Sequence, residues 1–341
     1  MSGPNVPLIA VVGPTGSGKS SLALALAEAQ GAEIVSVDSM QFYSGMEIGT
    51  AAPSVADCAR IPHHFVGFLE PDEEITAGTY QGMARARLAL LEEEGLPAVA
   101  VGGSGMYVSA LIDGIFDGPG EDPAIRARLQ AEARRLGNEH LLERVREVDP
   151  EYAQRITSSN DLVRIVRALE VYELTGRPYS ELHREHRART PSLPCLQFAL
   201  DYPDRQDLYD RINRRVLQMI DGGWVEEVQQ LLDRGYGPHL ERLKALGFRE
   251  ISAHLRGEKS LDEAIVAAQL HHRRYAKRQL TWFRADPRIH WVPAGPGTTT
   301  ESQLAVIQAH VAEQHDTDPK PKTSLHRFLS GTNGHHRNGH G

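Results

Sequence analysis

Cysteine is nearly missing from this 341-residue chain. Only Cys58 and Cys195 are present, so neither a disulfide framework nor a structural zinc site is expected, and both read as reduced thiols. Long apolar runs are missing as well. No stretch approaches the roughly 20 residues of a membrane span, and 40% hydrophobic with 24% charged residues is the balance of a soluble globular protein. The opening MSGPNVPLIAVVG lacks the basic start and long apolar stretch of a secretory signal, so a cytoplasmic protein is expected. Excess positive charge is lacking too. The net charge of -8 argues by itself against a nucleic-acid partner, although a global balance can conceal a local basic stripe.

What is present reads as α/β. Strand-like runs occur at Leu8 to Val12, Ile34 to Val37, Phe65 to Leu69, Ala98 to Val101, Gln197 to Leu200 and Ile289 to Val292. Several are continuously apolar, as in parallel strands buried on both faces. Helical spacing separates most of them, at Ser20 to Gln30, Tyr80 to Glu94, Leu208 to Ile220 and Leu261 to Arg284. A P-loop NTPase-like parallel sheet flanked by helices is expected. Between 122 and 195 the strand signals vanish and the chain becomes helical and arginine-rich, which reads as an inserted all-helical domain bounded by the turn-rich FDGPGEDP and TPSLP. The core then comprises 1–121 and 196–295. The remainder, 296–341, holds a short helix and a polar tail read as disordered from about residue 316, with His335, His336 and His340 as solvated tail residues rather than metal ligands.

Residues 13 to 20, GPTGSGKS, match G-x-x-x-x-G-K-[ST] between the apolar PLIAVV and the helix-like SLALALAEAQ. Gly13, Pro14, Thr15, Gly16, Ser17, Gly18, Lys19 and Ser20 are therefore expected to bind phosphate. Glycines turn the backbone N–H groups inward, the helix N-terminus adds partial positive charge, and Lys19 supplies an ammonium. Ser20 is placed to ligate Mg²⁺. Kinases and NTPases that own such loops also hold magnesium through an acid at a strand end. The VAVGG strand ends in glycines and Ser104, and no NKxD guanine-reading motif is present; Asp38, ending IVSVD, is the natural carboxylate.

Residues 36 to 53 read SVDSMQFYSGMEIGTAAP. Here the chain resembles the tRNA dimethylallyltransferases, also called isopentenylpyrophosphate tRNA transferases. Their pattern D-S-x-Q-x-Y-x-G-M-x-I-G-T-A-x-P is met by Asp38, Ser39, Gln41, Tyr43, Gly45, Met46, Ile48, Gly49, Thr50, Ala51 and Pro53. Ordered matches continue through PHH (62–64), VGGSGMY (101–107), DP-x-x-R-x-R-L (122–129), ND-x-x-R-x-x-RALEVYELTG (160–176), R-I-x-x-R (211–215), LKALGFRE (243–250) and AKRQLTWFR (276–284). The resemblance spans about residues 7 to 293. Family members often carry threonine at the position of Ser104, where the hydroxyl is kept. The tail has no cysteine, so the zinc-finger extension of some eukaryotic relatives has no counterpart.

The resemblance implies transfer of a dimethylallyl group from dimethylallyl diphosphate to N6 of the adenine just 3′ of the anticodon in tRNA, with pyrophosphate leaving. The loop would then hold the donor's diphosphate. It implies catalytic roles for Asp38 as general base, or alternatively as a magnesium-associated carboxylate, and for Ser104 and Arg215 at the reacting groups. Without it, Arg215 would read as a surface-helix arginine and Ser104 as part of a glycine-rich turn. Asp38, Ser39, Met40, Gln41 and Ser104 would meet the flipped adenine; Ser39 and Gln41 could instead stabilise their own loop. Arg126, Val163, Arg164, Ile165, Val166, Arg167, Lys244 and Arg249 match positions that approach tRNA.

The stripe HHRRYAKRQLTWFRADPR (271–288) sets Arg273, Arg274, Lys277, Arg278, Arg284 and Arg288 against the single acid Asp286, with Tyr275, Trp282 and Phe283 interleaved, as in a phosphate-binding and stacking surface. Residues 122–195 carry 13 arginines against 12 acids, so particular side chains rather than bulk charge would have to contact RNA. His63 and His64 read as loop packing. A monomer is the default. A small-molecule kinase would share the loop and helical lid but consume ATP, and a noncatalytic RNA-binding module would bind RNA regardless of an allylic diphosphate.

Overall fold

Continuously apolar segments such as LIAVV become strands buried on both faces, and the computed structural model, which describes residues 8–116, 118–189 and 192–317, sets them in one parallel sheet. The strands are β1 (Leu8–Val12), β2 (Glu33–Ser36), β3 (His63–His64), β4 (Ala98–Gly102), β5 (Cys195–Asp201) and β6 (Ile289–Pro293), in the order β3-β2-β4-β1-β5-β6. All pairings are parallel. Alternation along β1 sends Leu8, Ala10 and Val12 into one core, with Tyr80, Trp224 and Phe283. Ile9 and Val11 enter the other, with Leu22, Leu26 and Ile307. The helices Ala77–Glu93 and Lys19–Gln30 cover opposite faces in this way.

Register decides where the loops emerge. Val12 pairs with both Gly102 and Ala199, and the Val37 N–H donates to the Val101 carbonyl at 2.7 Å. The segments leaving β1, β2 and β4 therefore come out level at the carboxyl edge of the sheet, the end at which open α/β sheets bind ligands. Residues 13–20, Asp38 and Ser104 all lie there.

The expected strand over Phe65 to Leu69 is not formed. β3 is only His63–His64; Phe65 turns left-handed (φ 63°), and the Phe68 and Leu69 N–H groups donate to the Phe42 carbonyl. The reason is packing: Phe65 and Phe68 meet each other's rings at 5.7 Å, and Phe42 and Tyr80 join the same aromatic cluster, which alternation across a sheet would forbid. His64 lies on the edge strand, its Nε2 within 2.6 Å of Glu33.

A second compact unit comprises Asp113–Ser192. Its helices Pro123–Leu136, Asn138–Val148 and Leu162–Thr175 bury a core of their own around Leu129, Leu141, Val145, Ile165 and Leu169. The unit starts before Asp122, because Arg167 donates to the Pro119 and Gly120 carbonyls and ties that turn to the helices. Cys195 belongs to β5. At the other end, the helix Thr300–Thr317 packs Ile307 into the sheet's core; the tail with its three histidines lies outside the described residues.

Candidate active site

The loop after β1 turns on three left-handed glycines, Gly13, Gly16 and Gly18 (φ 127°, 75° and 98°). A Cβ on Gly16 would also lie 2.7 Å from the Ile212 side chain. Ser17 is buried, and its carbonyl accepts the Tyr202 hydroxyl at 2.8 Å. Lys19 is buried at the start of its helix and its Nζ donates to the Pro14 carbonyl at 3.4 Å. Burial pushes this ammonium down to about 8; the Asp38 carboxylate opposes the fall and Arg215 adds to it.

A cavity of about 350 Å³ opens at the loop. Lys19, Arg211, Arg214 and Arg215 line it together with Ser20, and no acidic residue does. Four cations on a wall that carries no carboxylate, with Asp38 the one acid whose field reaches Lys19 and Arg215, make a site for a polyanion. The helix Arg205–Asp221 supplies the three arginines: Arg211 donates to the Gly16 carbonyl at 3.1 Å and Arg215 to the Thr15 hydroxyl at 3.4 Å. Arg211 entered the sequence pattern only as a motif match, and Arg214 carried no signal of its own. Among the described residues no group of three or more His, Cys, Asp or Glu could hold a metal. The exposed Ser20 hydroxyl on the cavity wall suits Mg²⁺, which keeps most of its shell as water and phosphate oxygen.

Beside the cavity lies a second polar cluster. The Ser104 hydroxyl accepts the Ser39 N–H at 3.0 Å and meets the Ser39 hydroxyl at 3.1 Å, while Asp38 accepts the Met40 N–H at 3.2 Å. Asp38 is the carboxylate whose field reaches Lys19, Arg215 and Tyr275. The Tyr275 phenol is pushed up to about 12 by burial and by Asp38, with Ser104 and Gln279 partly offsetting them. Gln41 is committed within the protein: its amide oxygen accepts the Ser36 hydroxyl at 3.1 Å and its amide N–H donates to the Ala51 carbonyl at 3.1 Å. This is the loop-stabilising alternative. The following segment is held by Glu227, a buried carboxylate whose two oxygens accept the Ile48 and Gly49 N–H groups at 2.6 and 2.9 Å. Glu227 carried no sequence signal, being one glutamate on an amphipathic helix.

The same stretches decide relationship. The sequence profile of the family described as IPP transferase matches residues 41–286. The chain belongs to the IPP transferase family. It is 47% identical to the tRNA dimethylallyltransferase of Geobacter sulfurreducens over 85% of this chain and 93% of that protein, and 45% identical to that of Syntrophobacter fumaroxidans over 92% and 90%. Its fold is similar to the crystal structure of the full-length tRNA isopentenylpyrophosphate transferase of Bacillus halodurans, with a TM-score of 0.65 and 32% identity over 96% of this chain and 99% of that one.

The positions drawn from the family's motifs differ widely in burial and in the partners they hold. Ile165 and Val166 are 0% and 5% exposed, with their side chains in the core of the helical unit, and the helix leaves Val163 and Arg164 outside. Arg126 and Arg167 both hold the fully buried Glu170, Arg126 through a two-point contact at 2.8 and 3.0 Å and Arg167 at 2.6 Å. They are structural cations first, since an unpaired Glu170 would be a buried charge. Lys244, left-handed at the end of Gly237–Leu243, and Arg249 are exposed. Along 271–288, Arg274, Lys277 and Arg278 are exposed, whereas Phe283 is buried, Arg284 contacts Asp201 and Arg288 contacts Asp286. Trp282 is 41% exposed and packs over Gly105, where a Cβ would lie 2.5 Å from its ring.

Proposed function

We propose that this member of the IPP transferase family moves a dimethylallyl group from dimethylallyl diphosphate to N6 of the adenine 3′-adjacent to the anticodon in tRNA. The observation that carries it is the acid-free, four-cation cavity at the loop, set against the Asp38 and Ser104 cluster. The diphosphate occupies the cavity with Lys19, Arg215 and the amides of residues 16–20 around it. Adenine N6 attacks the allylic carbon, the carbon–oxygen bond breaks, and its electron pair leaves on pyrophosphate. Asp38 accepts the N6 proton as the carbon–nitrogen bond forms, and the cations stabilise charge gathering on the leaving oxygens. Ser104, bonded to Ser39, sets the position of the base. Mg²⁺, held by Ser20 and diphosphate oxygens, would further neutralise the leaving group. The exposed Arg164, Val163, Lys244 and Arg249 and the 274–278 cations are the RNA-facing side chains of this proposal. The enzyme acts as a monomer in the cytoplasm, and among the described residues no helix is long and apolar enough to cross a membrane.

The test is mass spectrometry of unmodified tRNA after incubation with the protein, Mg²⁺ and dimethylallyl diphosphate, with ATP in a parallel reaction. One dimethylallyl group on the adenine beside the anticodon, only with the isoprenoid donor, is expected. Asp38→Asn should slow single turnover by about 10²-fold or more while tRNA binding stays near wild type. No adduct from folded protein, with ATP consumed instead, would replace the transferase by a kinase; a near-normal Asp38→Asn rate would remove the base assignment.

A further inference from the structure

Gln279 is 5% exposed on the helix Leu261–Arg284, yet its amide faces two loops rather than the apolar core. Its Oε1 accepts the Thr15 N–H at 2.8 Å, and its Nε2 donates to the Gly103 carbonyl at 2.8 Å. Thr15 lies in the phosphate loop and Gly103 immediately precedes Ser104. The two backbones run close together here. A Cβ on Gly103 would fall 2.2 Å from Gln279 Nε2 and 3.1 Å from the Gly13 carbonyl, so only glycine admits both loops and the amide.

We propose that Gln279 is a positioning residue that locks the diphosphate loop to the Ser104 turn and thereby fixes the distance between leaving group and attacking base. This rests on the reading above, in which the loop holds the donor and Asp38 with Ser104 meets the adenine. A single planar amide supplies one acceptor to one loop and one donor to the other, so neither loop moves without breaking a buried hydrogen bond. The Thr15 N–H is committed to Gln279 and does not join the phosphate cradle. One turn earlier on the same helix, Tyr275 stands by Ser104 and Gln279 and reinforces the clamp. Transfer between two separately bound substrates depends steeply on their relative placement, and a misplacement of about 1 Å can cost about 10²-fold in rate.

The experiment compares Gln279→Leu, Gln279→Glu and Lys19→Ala with wild type, measuring single-turnover rate at saturating tRNA and donor, pyrophosphate affinity and tRNA affinity. Gln279→Leu should slow single turnover by about 10-fold or more, with both affinities nearly unchanged, whereas Lys19→Ala should weaken pyrophosphate binding. Gln279→Glu keeps the acceptor but loses the donor while ionised. Protonation restores the donor to Gly103, so its rate relative to wild type at the same pH should rise as pH falls, which a merely packed side chain would not produce. A wild-type rate in Gln279→Leu, or a pH-independent ratio for Gln279→Glu, overturns the clamp while leaving the site standing if Lys19→Ala is impaired. Unchanged pyrophosphate affinity in Lys19→Ala removes the loop as the diphosphate site, and the clamp with it. Should Gln279→Leu fail to fold, the pH ratio of Gln279→Glu decides.

Discussion

His272 shows what a single buried group does to pH dependence. It is 5% exposed, its ring lies 6.3 Å from that of Trp224, and burial with help from Arg215 pushes its imidazole down to about 4. The Leu246 carbonyl and His271 are the remaining polar neighbours acting on it, and their opposed effects do not reverse the shift. The folded chain holds the ring neutral, while the unfolded chain takes up a proton near pH 6.5. Stability tied to the neutral ring is therefore complete above about pH 6.5 and is lost as pH falls toward 4. Between pH 7 and pH 5 wild type should lose about 2 kcal/mol more unfolding free energy than His272→Gln, measured by urea titration at both pH values. Equal losses would show that His272 is not the titrating group. At this scale the sequence singled out Lys19 and Asp38, because each sits at a fixed spacing from glycines or a strand end. Gln279 entered only inside the AKRQLTWFR match with no role attached, and Glu227 and His272 carried no signal of their own, because the partners of all three lie on other elements and leave no local periodicity.

Elements were easier to read than their contacts. The strands β1 and β4 follow from continuous apolar runs, β5 and β6 from apolar runs that include Gln197 and His290, and the helix Leu261–Arg284 from three-to-four spacing; that helix starts at a capping box in which Ser260 accepts the Glu263 N–H. Phe65 to Leu69 failed because an apolar run can serve an aromatic cluster as well as a strand. The family motifs over 36–53 and 243–250 gain a packing explanation that spacing alone could not give. A Cβ on Gly49 would lie 2.1 Å from Trp224 Nε1 and 2.5 Å from Phe248, and one on Gly247 2.0 Å from the Trp224 ring. Trp224 and Phe248 are both fully buried, at the starts of the helices Trp224–Asp233 and Phe248–Leu255. Gly49→Ala should therefore destabilise the protein by about 1–3 kcal/mol through overpacking, read as a lower urea midpoint, and should disturb the neighbouring Glu227 contacts to Ile48 and Gly49. An unchanged midpoint would mean that Trp224 can move aside without cost.

Across the whole molecule the charge of -8 and an RNA substrate are compatible because the cations that matter are segregated, not abundant. Many arginines are spent on carboxylates: Arg126 and Arg167 on Glu170, Arg144 on Glu132, Arg177 on Glu181, Arg288 on Asp286. Composition counts these the same as Arg274, Lys277 and Arg278, which stand exposed within one turn of a single helix. Contact with phosphate releases counterions, so each such contact steepens the fall of log K with log salt by about 0.7 to 0.9. Replacing Arg274, Lys277 and Arg278 together by alanine should flatten that dependence for tRNA by about 2 to 3. Arg288→Ala, which removes a cation already neutralised by Asp286, should leave the slope in place. Filter-binding titrations over a range of salt concentrations separate the two outcomes. Equal flattening by Arg288→Ala would mean that the Asp286 pair opens on binding and that the RNA-facing stripe continues past the helix end at Arg284.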